Sequence, residues 1–476
     1  MKSKLLISCL WFGALLGCVR TTAEIPCSSN SECLSQQCFQ GFCTEPTADG
    51  GGIGSDTNSA SASGVGPTHS GCVNLECRQV LCTNGKKTTL TGKVFDPSGT
   101  LPLFNAVVYV PNAALEPFAP GVSCDRCGAT PSGAPLVSTA TGADGTFTLK
   151  DVPAGANVPL VIQLGRWRRQ VVLKYVEACT ATALTDPNLT RLPRNQGEGE
   201  IPKMAIATGS ADPFECLLKK IGLDDAEITR PSGTGRVHFY RQNGVDLSPP
   251  APAARELWSD INTLKQYDVV MLPCEGSQKL KPMAATQNLI DYSNAGGRVF
   301  TTHFSYVWID FAQTPWPGTG DWNPGNVTPP DPYTGSMDTS FPKGSAFLAW
   351  LGHVGATNGG TLEINEARHD LNSVKAPLAQ RWIFGANPND SMSPNVQHMT
   401  FNTPIDGPAQ PDGGAPLECG RVVFSDFHLT AGAKIAGLPF PASCRAGPLT
   451  PQEKALVFML FDLSACVQPD RAPLIH

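Results

Sequence analysis

One segment constrains the fold more than any other: residues 266–310, QYDVVMLPCEGSQKLKPMAATQNLIDYSNAGGRVFTTHFSYVWID. Val269-Val270-Met271-Leu272 is a short apolar run closed by Pro273. Such a run suits a parallel strand buried on both faces. A helical pattern begins near Pro282, continues through Leu289, Ile290 and Tyr292, and stops at Gly296-Gly297, because glycine takes the left-handed cap conformation. Arg298-Val299-Phe300-Thr301-Thr302 is a second buried strand, with His303 just past its end. A strand–helix–strand unit of this kind is right-handed, with parallel strands. Sites in such sheets lie beyond the carboxyl ends of the strands. That places Cys274, Glu275 and His303 where chemistry is expected.

Flanking segments repeat the alternation. Ile201 to Gly209 reads as a first strand, and Asp212-Pro213 caps a helix through Leu217 and Leu218 to Gly222. Gly420 to His428 reads as a late buried strand that ends in polar residues, Asp426 and His428 among them. The last helix runs from Thr450, with threonine at the N-cap, Pro451 in the first turn and Glu453 at the third position. Together these make residues 201–468 an α/β domain of three layers around a parallel sheet.

A chain of 476 residues exceeds one core, so several domains are expected. With 47 glycines, 42 prolines and only 16% charged residues, it has the composition of a loop-rich exported protein. A formal charge of −6 argues against nucleic acid as a partner. Lys2 and Lys4 precede an apolar stretch from Leu5 to Leu16, which reads as a secretory signal over residues 1–18. Its end, Leu15-Leu16-Gly17-Cys18, resembles the lipobox of bacterial lipoproteins. That resemblance implies lipid (palmitate among the acyl chains) on Cys18 and anchoring to a membrane. Val19 in place of an aspartate implies the outer membrane of the cell envelope. Within residues 19–44, Cys27, Cys33, Cys38 and Cys43 read as two disulfides in a small module with almost no apolar core. Residues 45–70 are a Gly/Ser/Thr-rich tether.

Residues 71–182 carry short strand signals at regular spacing, the pattern of a β-sandwich. The order TGKVFDPSG, NAVVYVP, ATGADGTFTLKDVPAG and VPLVIQLGRWRRQVVL resembles the carboxypeptidase regulatory-like (transthyretin-like) sandwich over about residues 88–180. An insertion around Cys124-Asp125-Arg126-Cys127 departs from that family. A local Cys124–Cys127 disulfide is favoured there over a redox or metal role. Cys179 is expected to tie back to the cluster Cys72, Cys77 and Cys82. Arg166, Arg168 and Arg169 around Trp167 form a basic–aromatic patch, and residues 183–200 read as a linker.

The α/β blocks YDVVMLPCEG, LIDYSNAGGRVFTTHFSY and GRVVFSDFH resemble the class I glutamine-amidotransferase-like (flavodoxin-like) fold, and most nearly its ThuA-like branch. In amidotransferases a cysteine nucleophile follows the strand after the Gly-Gly turn. Here His303 stands at that position, so the resemblance implies a degenerate domain without that nucleophile. Cys274 has two readings. It is a thiol that His303 or His428 could activate, or it is bridged, with Cys216 as partner; an oxidising compartment favours the bridge. His303, Asp426 and His428, with Glu275, are the candidate acid–base residues. They are ligand types that suit zinc or iron, but their spacing is no metal signature, and neither metal nor cofactor is expected. Residues 312–343 form a long loop whose Trp316, Trp322 and Tyr333, with Trp308, could stack on sugars beside Asp310 and Asp321.

Two functions compete with a third reading, a structural envelope protein with no site. The favoured one is a lipid-anchored binding or interaction module facing a carbohydrate or another envelope protein. The alternative is an exported hydrolase or carbohydrate-active enzyme that uses His303 with Asp426 and His428. Convergence of the two histidines beside an unpaired Cys274 favours the enzyme.

Overall fold

Buried strands with both faces covered need apolar residues at successive positions, and the central sheet shows why. Met204 and Ile206 face one core while Ala205 and Ala207 face the other; Val269 and Met271 oppose Val270 and Leu272 in the same way. The computed structural model describes residues 71–407, 417–429, 435 and 437–474, with the short strands Cys38–Phe39, Phe42–Cys43 and Val65–Pro67. The chain divides into two units, residues 1–61 and 62–476. In the first, the two strands Cys38–Phe39 and Phe42–Cys43 pair as a hairpin. The expectations for Cys18, Cys27 and Cys33, for the sulfurs of Cys38 and Cys43, and for the leader and most of the tether lie outside the described residues. No described helix is long and apolar enough to cross a membrane.

The second unit begins with a sandwich. A four-stranded sheet runs Trp167–Val176, Gly155–Leu164, Val107–Pro111, Pro135–Ala140, and a three-stranded sheet runs Ala181–Leu184, Thr89–Lys93, Thr146–Lys150. The α/β part is built on ten strands. Six are parallel, in the order Ile228–Thr229, Val237–Tyr240, Met204–Ala207, Val269–Leu272, Arg298–Thr302, Gly420–Ser425. Four more extend the sheet antiparallel: Asp390–Thr403, Gln380–Asn387, Tyr333–Met337, Thr361–Ile364. The expected all-parallel sheet is therefore a mixed one. Tyr333–Met337 and Thr361–Ile364 alternate buried and more exposed positions, and Asp390–Thr403 buries polar residues such as Gln397, His398 and Thr400, so these strands lack the unbroken apolar signature. Helices cover both faces. Phe214–Lys220, Pro342–His353 and Pro451–Ser464 pack into one core and Met283–Asn294 into the other. The last helix starts as expected: Glu453 N donates to Thr450 Oγ1 at 3.2 Å and Thr450 N donates to Glu453 Oε2 at 2.8 Å.

Sandwich and α/β layer share one apolar core through that helix. Phe458 stacks on Phe104 at 5.9 Å, Phe461 meets Trp167 at 6.0 Å, and Trp350 Nε1 donates to Pro102 O at 2.7 Å. Residues 183–200 are part of this joint, with Arg191 holding Glu198 through two bonds of 2.6 Å. The basic–aromatic patch is absorbed by it as well. Trp167 is buried, Arg166 pairs with Asp268 at 2.9 Å, and Arg168 pairs with Glu200.

The disulfides correct two expected pairings. Cys124 bonds Cys419 and Cys127 bonds Cys466, so the insertion is stapled to the α/β layer rather than closed on itself. Gly296 explains the close approach: at φ +112° it caps the helix, and a Cβ there would lie 2.2 Å from Ser123 O. Cys216 bonds Cys444, which leaves Cys274 as the free cysteine among the described residues. Cys72–Cys77 and Cys82–Cys179 are the other bridges among the described residues, the latter as expected.

Candidate functional site

The site is assembled from the ends of neighbouring parallel strands. Cys274 lies two residues past Val269–Leu272, and its backbone N donates to Thr302 Oγ1 at 2.9 Å. Thr302 Oγ1 donates to Asp212 Oδ2 at 2.5 Å, and Leu429 N donates to Asp212 Oδ1 at 2.7 Å. Asp212 thus ties the loops after Met204–Ala207 and Gly420–Ser425 to the end of Arg298–Thr302. It does not cap its helix, which starts without a side-chain cap. Gly209 lets this happen, since a Cβ there would lie 2.3 Å from Cys274 O. His303 turns sharply at the strand end, at φ +37° in the left-handed region, and opens the short helical turn His303–Trp308.

That turn brings three side chains together. Cys274 Sγ lies 3.4 Å from His303 Nδ1, and His303 Nδ1 lies 2.9 Å from His428 Nε2. Gly276 N also donates to the sulfur, at 3.3 Å. One ligand atom from each of Cys274, His303 and His428 falls within 4.8 Å of the other two. The outer ring nitrogens both face carboxylates: His303 Nε2 is 3.5 Å from Asp370 Oδ2, and His428 Nδ1 is 3.3 Å from Glu366 Oε2.

Electrostatics separates the two imidazoles. Burial, then the His428 charge and Arg368, hold His303 far below the usual histidine range. Burial works against charge on His428 too, but Asp212, Cys274 and Glu366 outweigh it and raise the pKa to about 10. Burial and the neighbouring Asp370 hold Asp426 well above the carboxylate range. Burial likewise raises Asp370.

The structure therefore brings His303, His428 and Cys274 into contact. Asp426 stands one layer behind: its Oδ2 accepts from Asp370 N at 2.7 Å, and its buried Oδ1 has no hydrogen-bond partner among the described residues. Glu275 is elsewhere, its carboxylate held by Lys281. Asp212, Glu366 and Asp370 were not singled out from sequence. Asp212 had a signal, a carboxylate just past the first parallel strand; Glu366 and Asp370 sit in a connection between added strands and had none.

A cavity of about 540 Å³ opens over the histidines, walled by Glu366, Arg368, His369 and Asp370. Asn326 reaches it from the 312–343 segment and donates from Nδ2 to Asp390 Oδ2 at 2.9 Å. That segment is largely ordered structure. Its Trp308 neighbour, Trp316 and Tyr333 are buried in the cores, so they offer no exposed face for stacking on sugars. A larger cavity of about 720 Å³, between residues 117–121 and Lys203, Arg236, Lys265 and Asp268, lies at the amino ends of the parallel strands, away from this chemistry.

No protein-family model matches this sequence, and no curated protein matches it. Among solved structures, a ThuA-like protein from Bacteroides uniformis is similar, with a TM-score of 0.31 and 11% identity over 54% of this chain and 88% of that one. A cytoplasmic protein from Salmonella typhimurium gives a TM-score of 0.28 and 12% identity over 55% of this chain and 98% of that one. A cohesin–dockerin complex from Acetivibrio cellulolyticus gives a TM-score of 0.15 and 17% identity over 26% and 78%. Likenesses this weak carry no argument about fold or function.

Proposed function

We propose that the α/β part is the catalytic domain of an exported hydrolase, with the His303–His428 pair at the floor of the cavity as its reacting centre. One observation carries this reading: two imidazoles meet at 2.9 Å beside the one described cysteine that forms no disulfide. A thiol kept reduced among five disulfides, in contact with both rings, is costly to retain for packing alone. The sulfur itself is fully buried and does not wall the cavity, whereas both histidines do. Chemistry at the histidines therefore fits the access better than attack by Cys274. The cavity has room for a small polar substrate, with Arg368 and Asn326 at its wall to orient it. The disulfides favour an oxidising compartment, and the lipobox-like segment ending at Cys18 supports display at a membrane surface.

The test is turnover of a chromogenic acetate ester, an aminoacyl anilide and a β-glucoside by the full chain and by His428→Gln. Turnover of one class, reduced at least about 100-fold in His428→Gln at an unchanged unfolding midpoint, is the expected result. Turnover undiminished in the variant, or absent for every class, would sink the hydrolase reading; sugar binding without turnover would return the domain to the role of a binding module.

A further inference from the structure

Three atoms able to ligate a metal, from Cys274, His303 and His428, lie within 4.8 Å of one another in this site. His303 has a carboxylate at Nε2 and His428 has one at Nδ1. His303 Nδ1 and His428 Nε2 face each other at 2.9 Å, with Cys274 Sγ 3.4 Å from the first. Two ring nitrogens at that distance need either a shared proton or a cation between them. We propose that Cys274 Sγ, His303 Nδ1 and His428 Nε2 bind one divalent transition-metal ion of the zinc class, with the fourth position open to the cavity. This deepens the hydrolase reading and rests on it for the purpose of the ion, though not for its binding.

The geometry fits with small movement. In a tetrahedral zinc site, with Zn–N of about 2.0–2.1 Å and Zn–S of about 2.3 Å, two nitrogens stand about 3.3 Å apart and nitrogen and sulfur about 3.6 Å. The separations here, 2.9 and 3.4 Å, are a few tenths shorter, so the rings need only part slightly. Three protein ligands with one position facing a cavity is the catalytic rather than the structural arrangement. The surroundings match as well. A metal-bound histidine ordinarily presents its other ring nitrogen to a carboxylate, and both do so here. Asp370 Oδ2 is buried and stands 3.5 Å from His303 Nε2. The burial of Cys274, an obstacle to nucleophilic attack, is no obstacle to ligation. Binding displaces the protons that the Cys274 sulfur and His428 Nε2 hold in the metal-free protein.

The experiment uses the full chain, stripped with a chelator and titrated with Co²⁺ alone, then with Zn²⁺. One Co²⁺ per chain with a thiolate-to-cobalt charge-transfer band, bleached by Zn²⁺, is the expected outcome. Cys274→Ser removes the band. Glu366→Gln keeps all three ligands and weakens affinity roughly 10–100-fold, so it reads the same question if Cys274→Ser fails to fold. No band in the parent chain, a band undiminished in Cys274→Ser, or an affinity untouched in Glu366→Gln overturns the metal site and leaves a proton between the rings. Metal binding without turnover by the loaded protein removes the hydrolase and keeps the site; turnover equal in stripped and loaded protein keeps the hydrolase and removes the catalytic purpose of the ion.

Discussion

At the scale of single residues, His303 occupies a demanding position. It holds φ +37° while being 5% exposed, a conformation that costs most side chains roughly 1–2 kcal/mol and that asparagine tolerates. Its ring contacts and its backbone are therefore separable. His303→Asn should keep the unfolding midpoint of the parent while losing metal affinity and turnover. His303→Ala should lose both functions and also about 1 kcal/mol of stability in denaturant unfolding. Equal stability of the two variants would show that the backbone there carries no strain. Asp212 is the quieter partner. With no contact to the cavity, it fixes where Cys274 and His428 start, through Thr302 and Leu429.

Elements are joined by charge as well as by the core. Residues 183–200 meet the sandwich through the Arg168–Glu200 pair and are braced from within by Glu198, whose carboxylate the Arg191 hydrogen bonds hold down to about 2, with burial opposing. A depressed pKa in the folded state means stability that is present above the unfolded value near 4.5 and lost as pH falls toward 2. Glu198 is a quarter exposed, so the contribution is about 1 kcal/mol after solvent screening. Unfolding midpoints measured between pH 6 and 3 should fall for the parent more steeply than for Glu198→Gln; parallel curves would refute the coupling. The joint was invisible in the sequence because its Pro, Asn and Gly content reads as a linker, and its order comes from long-range ion pairs. The same contrast explains the rest. Val269–Leu272 and Arg298–Thr302 were legible because strands buried on both faces must be apolar throughout, and His303 and His428 were legible as the residues that follow such strands. The partners of Cys124, Cys127 and Cys216 and the carboxylates Glu366 and Asp370 were not, because contacts between residues far apart in the chain leave no periodic trace. The cysteine nearest in space to Cys216 was not the one nearest in the sheet.

For the whole second unit, the two bridges from the sandwich insertion set how firmly its halves are held. Each closes a loop of about 300 residues or more, a size at which a cross-link contributes roughly 2–4 kcal/mol. Removing Cys124–Cys419 by paired serine substitution should lower the midpoint of chemical unfolding, and removing Cys127–Cys466 in addition should lower it further and expose residues 117–132 to limited proteolysis. An unchanged midpoint and cleavage pattern would mean that the shared core around Phe458 suffices. These connections also govern how the protein must be made. Cys124 and Cys127 emerge together, roughly 300 residues ahead of their partners, and are close enough to oxidise with each other at once. A compartment that only oxidises would trap that wrong pair, so correct yield depends on thiol–disulfide shuffling after the chain is complete, and the lone thiol beneath the histidines has to escape the same exchange.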